Sequence, residues 1–83
     1  MIKVKDKKLL KIFGLRIREL RLERKYSQEQ LANFAEIPLS QVGRIERGEI
    51  NPTISTINVL ALAFEIPLHE LLMFPTTDSK KGR

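Results

Sequence analysis

Eighty-three residues, 42% of them apolar, suffice for one compact domain and exclude a two-domain enzyme. With no cysteine and a single histidine, His69, the chain lacks the material for disulfides, thiolate chemistry or a histidine-built metal site or triad. The formal charge of +5 is uneven: residues 1–25 are net +7, residues 26–79 net −5 and residues 80–83 net +3, and a basic first segment suits a polyanion or a solvated helix face.

The longest apolar run, Val59 to Phe64, is far below the roughly 20 residues of a membrane span. Charges recur every few positions through residue 25 and leave no secretory apolar core, so a cytoplasmic chain is expected, with no membrane partner.

Leu10, Phe13, Ile17 and Leu20 recur at steps of three and four, which predicts a first helix with Asp6 as N-cap, ending by Lys25. Ser27 followed by Gln30 has the form of a capping box and predicts a second helix over Gln28–Ala35 that buries Leu31, Ala32 and Ala35. Glu36, Ile37 and Pro38 break the pattern, and Pro38 fits the first turn of a third helix with Val42 and Ile45 on its apolar side and Gly48 as stop signal. After an Asn51-Pro52 turn signal, Thr53 or Ser55 starts a fourth helix through Ile57, Leu60, Ala61 and Phe64. The tetrapeptide Glu-Ile-Pro-Leu at 36–39 recurs at 65–68, so one helix-ending phrase is used twice. A fifth short helix over Leu68–Met73 is expected to turn Leu71 and Leu72 inward, and Thr76–Arg83 reads as a disordered tail.

No segment alternates with a period of two, so the expected fold is all-α, a compact five-helix bundle. Two helices joined by a tight turn, the second amphipathic, form a helix-turn-helix. Ser27-Gln-Glu-Gln-Leu-Ala-x-x-Ala, followed by Val42-Gly-Arg-Ile-Glu-Arg-Gly-Glu-Ile-Asn-Pro-Thr, closely resembles the XRE family of phage Cro and lambda-type repressors. The resemblance runs from Arg16 to Leu72, about two thirds of the chain. It divides the sequence into a basic extension with the start of the first helix (1–15), a lambda-repressor-like DNA-binding domain with its helix-turn-helix at helices two and three (16–72) and a C-terminal tail (73–83).

At 100° per residue, with Val42, Ile45 and Glu46 inward, the third helix presents Ser40, Arg44 and Arg47 outward, Gln41 and Gly43 at the edges and Leu39 on the first turn. Arginine pairs with guanine and glutamine with adenine, a small Gly43 lets the helix approach base edges, and Leu39 suits a thymine methyl. The base-reading positions of the family match Leu39, Ser40, Gln41, Gly43 and Arg44. Phosphate contacts are expected from the N-terminus of the second helix with Gln28, and from Arg47 and Asn51. The resemblance also implies a structural ion pair between Arg21 and Glu46. The other first-helix cations, Arg16, Arg18 and Arg24, are read as a solvated face, His69 as an exposed residue and Ser27 as a cap instead of a nucleophile. Leu68, Met73 and Phe74 either finish the core or form a dimer patch.

Three positions depart from the family pattern: Glu36 stands where glycine is usual at the turn, Pro38 where a Ser or Thr cap is usual, and apolar Leu39 at a polar reading position. The expected function is sequence-specific regulation of transcription by a homodimer on double-stranded DNA, without cofactor, metal or catalytic residue. No paired carboxylates, phosphate loop or based nucleophile is visible. A protein partner, a toxin or a polymerase, fits the same family. The alternative is an antitoxin or a protein-interaction module on the same fold, to which the acidic middle segment lends some weight.

Overall fold

The structure is a computed structural model in which residues 6–75 are described. The side chain of Asp6 accepts the Leu9 amide at 3.1 Å and opens α1, Lys7–Glu23, whose stripe of Leu10, Phe13, Ile17 and Leu20 is buried. Four shorter helices follow: α2 Gln28–Ala35, α3 Leu39–Glu46, α4 Ile54–Phe64 and α5 Leu68–Leu71. No strand occurs among the described residues, and no helix there is long and apolar enough to cross a membrane. Helices of eight residues are not stable alone. α2 and α3 are held by packing: α3 lies against α1 and α2, α2 against α4, and α4 against α5. Ile17, Leu31, Leu60 and Leu71 are completely enclosed at the centre, with Val42, Ile45 and Phe64 around them.

One device ends four of the five helices. Lys25, Glu36, Gly48 and Glu65 all take left-handed φ values of 59°, 59°, 73° and 61°. After each, the next amide reaches back to the last turn: Tyr26 to Arg21, Ile37 to Ala32, Glu49 to Arg44 and Ile66 to Ala61, at 2.9 to 3.1 Å. This is the Schellman closure, in which an apolar residue just past the helix packs inward. Tyr26, Ile37 and Ile66 do so, whereas after α3 that place holds exposed Glu49 and the inward role passes to Ile50. The repeated Glu-Ile-Pro-Leu is therefore a repeat in structure as well, a left-handed glutamate, an anchored isoleucine and a proline N-cap.

Gly14 sets how closely α3 approaches α1. A Cβ there would lie 2.5 Å from the Glu46 carbonyl oxygen and also against the Ile45 carbonyl, so the two backbones meet where only glycine fits.

Of the two starts expected for α4, Thr53 is the cap in use, its hydroxyl accepting the Thr56 amide at 3.1 Å. Other expectations change. α5 stops at Leu71 short of Met73, and Leu72 is 40% exposed, not inward. Arg16 meets the last carbonyls there, its Nε donating to Leu71 O at 3.2 Å and its Nη2 to Glu70 O at 2.8 Å, the latter also accepting the Met73 amide at 3.1 Å. Arg24 likewise donates from Nε to Phe64 O at 3.2 Å, at the end of α4, with its guanidinium 5.2 Å from the Phe64 ring centre. Arg16 and Arg24 are thus ties between helices and not members of a solvated face. Leu68 and Phe74 pack on the core, the Phe74 ring 6.0 Å from that of Phe13, whereas Met73 is exposed. The tail expected at 76–83 lies outside the described residues.

Candidate nucleic-acid interface

α2 starts in a closed capping box: Ser27 Oγ accepts the Gln30 amide at 3.0 Å, and Gln30 Oε1 accepts the Ser27 amide at 2.8 Å. The turn to α3 uses the left-handed Glu36, so the chain keeps a glycine-type conformation with a side chain that resists it. Pro38 then sets the start of α3 with extended backbone and no side-chain cap, as a proline must.

The inward side of α3 is Val42, Ile45 and Glu46. Glu46 is buried and fully engaged. Its Oε2 accepts Arg21 Nε at 2.6 Å, and its Oε1 accepts Arg21 Nη2 at 3.1 Å and Gln28 Nε2 at 3.0 Å. Arg21 Nη1 also donates to the Tyr26 carbonyl at 2.8 Å. One carboxylate therefore joins α1, α2 and α3, and it draws the Gln28 amide to the junction of α2 and α3. A primary amide has two N–H donors, and Glu46 takes one of them.

On the outward side Leu39, Ser40, Arg44 and Arg47 are exposed and Gln41 is half-buried. The Arg44 guanidinium has no hydrogen bond among the described residues. Gly43 is covered: a Cβ on it would lie 2.9 Å from Arg47 Nη1, so the Arg47 guanidinium rests on the bare backbone of α3. Arg47 is held there by Glu49, whose Oε2 accepts Nε at 2.7 Å and whose Oε1 accepts Nη2 at 3.3 Å. These hydrogen bonds, and then the opposite charge, raise the Arg47 pKa above its ordinary value. The same hydrogen bonds hold the Glu49 carboxyl below the usual glutamate value; desolvation opposes them, and the charges of Arg47, Arg44 and Lys11 each add to the lowering. Asn51 is exposed in the loop that follows.

Two residues of this face escaped the sequence reading. Lys11 lies beside Gly48, and its Nζ donates to the Arg47 carbonyl at 3.4 Å. No sequence signal placed it there, because Gly14, one turn further along α1, marks the meeting with the end of α3 only once the opposing carbonyls are known. Glu49 was visible only as an acid in the loop.

Chemically, the outward side of α3 offers hydroxyl, amide and guanidinium groups on a rigid helix, with no nucleophile or carboxylate pair poised for catalysis. Such groups can pair with the hydrogen-bonding edge of another molecule.

A helix-turn-helix family model matches residues 17–71, from α1 to the end of α5. The HTH-type transcriptional regulator DdrOP3 of Deinococcus deserti is 39% identical over 57 residues, 69% of this chain and 44% of its own length. The chain thus spans less than half of that curated relative. The crystal structure of the restriction-modification controller protein C.AhdI from Aeromonas hydrophila is 44% identical with a TM-score of 0.73, over 75% of this chain and 94% of that one. A mutant of C.Esp1396I bound to its highest-affinity operator site is 27% identical with a TM-score of 0.73, over 82% and 93%.

Proposed function

The chain belongs to the helix-turn-helix family whose model spans residues 17–71, and from that premise we propose that it is a sequence-specific, double-stranded-DNA-binding regulator of transcription. It acts in the cytoplasm as a homodimer. Each protomer lays α3 in the major groove and reads base edges with Leu39, Ser40, Gln41 and Arg44, Gly43 giving the helix room to approach. Gln28, Arg47 and Asn51 contact phosphates. A two-fold dimer presents its two reading helices about 34 Å apart, one turn of the duplex.

The observation that carries this reading is the division of α3. Its apolar edge and Glu46 are locked against α1 and α2, while Ser40 and Arg44 stay exposed, the guanidinium of the latter without a hydrogen bond among the described residues. A buried anchor with an open polar face is what groove reading requires. The operator-bound state of C.Esp1396I, a relative by fold, adds support.

The test is selection from random duplexes followed by a salt titration of the enriched site. A symmetric site with affinity falling steeply as salt rises is the expected result. Failure to enrich any duplex at low salt would remove the reading.

A further inference from the structure

On the face that the DNA-binding reading assigns to the duplex, one anion is already present. The Glu49 carboxylate takes two donors of Arg47, at 2.7 and 3.3 Å, with the geometry in which a guanidinium grips a phosphate. Gly48 makes the arrangement: its left-handed φ of 73° turns the chain sharply after α3, and the Glu49 amide returns to Arg44 O at 2.9 Å, so a residue only two positions on can face Arg47. Gly43 contributes the other half, since any side chain there would meet Arg47 Nη1. The guanidinium thus lies over Gly43, clasped by Glu49 and covering the position where the helix needs to come nearest the bases.

We propose that Glu49 is a positioning residue that holds the Arg47 guanidinium in place of a DNA phosphate, so that docking on a duplex exchanges carboxylate for phosphate and uncovers Gly43. The proposal rests on the DNA-binding reading above. Three features support it. The pair is exposed, with side chains 58% and 51% accessible, so the exchange is open to a ligand arriving from solvent. Arg44 and Lys11 also act on the Glu49 charge, so the carboxylate sits where a cationic surface would otherwise hold an external anion. An exposed ion pair is held weakly enough to be traded for a phosphate whose counterions are released on contact.

The consequence is that Glu49 lowers affinity for every duplex alike, because a phosphate contact carries no sequence information. Binding of wild type, Glu49→Gln, Arg47→Ala and the double variant to the selected duplex and to a scrambled one, across a salt series, tests this. Glu49→Gln is expected to tighten both complexes by about three- to ten-fold and to steepen the log–log salt slope by about 0.9, leaving the ratio between the duplexes unchanged. In the Arg47→Ala background the same change is expected to gain less than about two-fold, since the guanidinium it would release is gone. A Glu49→Gln protein that binds the selected duplex less tightly, or discriminates less, would overturn the proposal, and so would an equal gain with and without Arg47. If wild type binds the selected duplex but Glu49→Gln changes nothing, the latch alone fails. If no variant binds any duplex, the DNA-binding reading fails and takes the latch with it.

Discussion

Arg21 of α1 grips Glu46 of α3 at two points, 2.6 and 3.1 Å, with both side chains largely withdrawn from water. A buried pair of this kind adds little over an apolar replacement but punishes removal of one partner, because the other charge stays desolvated. Glu46→Ala strands Arg21 and also releases Gln28, so it is expected to cost about 3–5 kcal/mol. Replacing both, Arg21→Met with Glu46→Leu, is expected to cost much less. Urea denaturation of the three proteins checks this, and a double variant as unstable as Glu46→Ala would show that the pair is worth its own electrostatics.

Gly14 governs the same junction from the backbone side. In Gly14→Ala the methyl group meets carbonyl oxygens of Ile45 and Glu46, which cannot move without shifting the end of α3. The gain in helix propensity from Gly to Ala, about 1 kcal/mol, is expected to be outweighed by overpacking of about 1–3 kcal/mol or more. Thermal denaturation should show a lower Tm, and an increase would mean that the helices separate freely there.

These two contacts show what a sequence can and cannot disclose. The spans of α1 to α4 were legible because the determinants are local: a stripe at helical spacing, the Ser27 and Gln30 box, the Thr53 cap and the prolines. The lining of α3 was legible for the same reason, since periodicity alone separates Val42 and Ile45 from Ser40 and Arg44. Gly14 was not, because a glycine inside a helix reads only as a weakness until the opposing carbonyls are known. Arg16 and Arg24 were missed because their partners are main-chain oxygens at distant helix ends, which no side-chain pattern names. The clasp of Arg47 by Glu49 depends on the left-handed turn at Gly48, and a spacing of two is not a neighbouring pair on any helix.

Glu36 and Glu65 hold left-handed backbone at φ of 59° and 61°, a conformation that disfavours a Cβ by about 1–2 kcal/mol. Glycine there removes that cost and adds some unfolded-state entropy. Glu36→Gly and Glu65→Gly are each expected to raise stability by about 0.5–1 kcal/mol. Chemical denaturation measures it, and a loss in either variant would mean that the glutamate side chain makes a compensating contact.

The Glu49 carboxyl is held below the usual glutamate value by its hydrogen bonds from Arg47. A carboxyl depressed on folding contributes stability that is present above its unfolded value and is lost as the pH falls through the folded one. The signature is therefore confined to acid, below the ordinary glutamate range. A carboxyl-carbon NMR titration should find the Glu49 midpoint depressed in wild type and moved up in Arg47→Ala. A midpoint indifferent to Arg47→Ala would show that the clasp does not form in solution.

Arg44 and Arg47 lie on the same side of α3 and are both exposed, yet they are expected to fail differently when removed. The Arg44 guanidinium has no hydrogen bond among the described residues and, on the proposed function, meets base edges, where a bidentate pair with a guanine discriminates by about 1–3 kcal/mol. Arg47 caps the end of α3 and is already paired with an anion, so the proposed function gives it a phosphate contact instead of a base. Arg44→Ala should lower the ratio of selected to scrambled affinity by about five-fold or more. Arg47→Ala should weaken both complexes together and flatten the salt slope, by less than the full value of one phosphate because Glu49 already offsets its charge. Both duplexes titrated at one fixed salt concentration decide the first point, and a salt series decides the second. An unchanged ratio for Arg44→Ala would move base reading to Ser40 and Gln41, whereas a falling ratio for Arg47→Ala would place a specific contact at the end of α3.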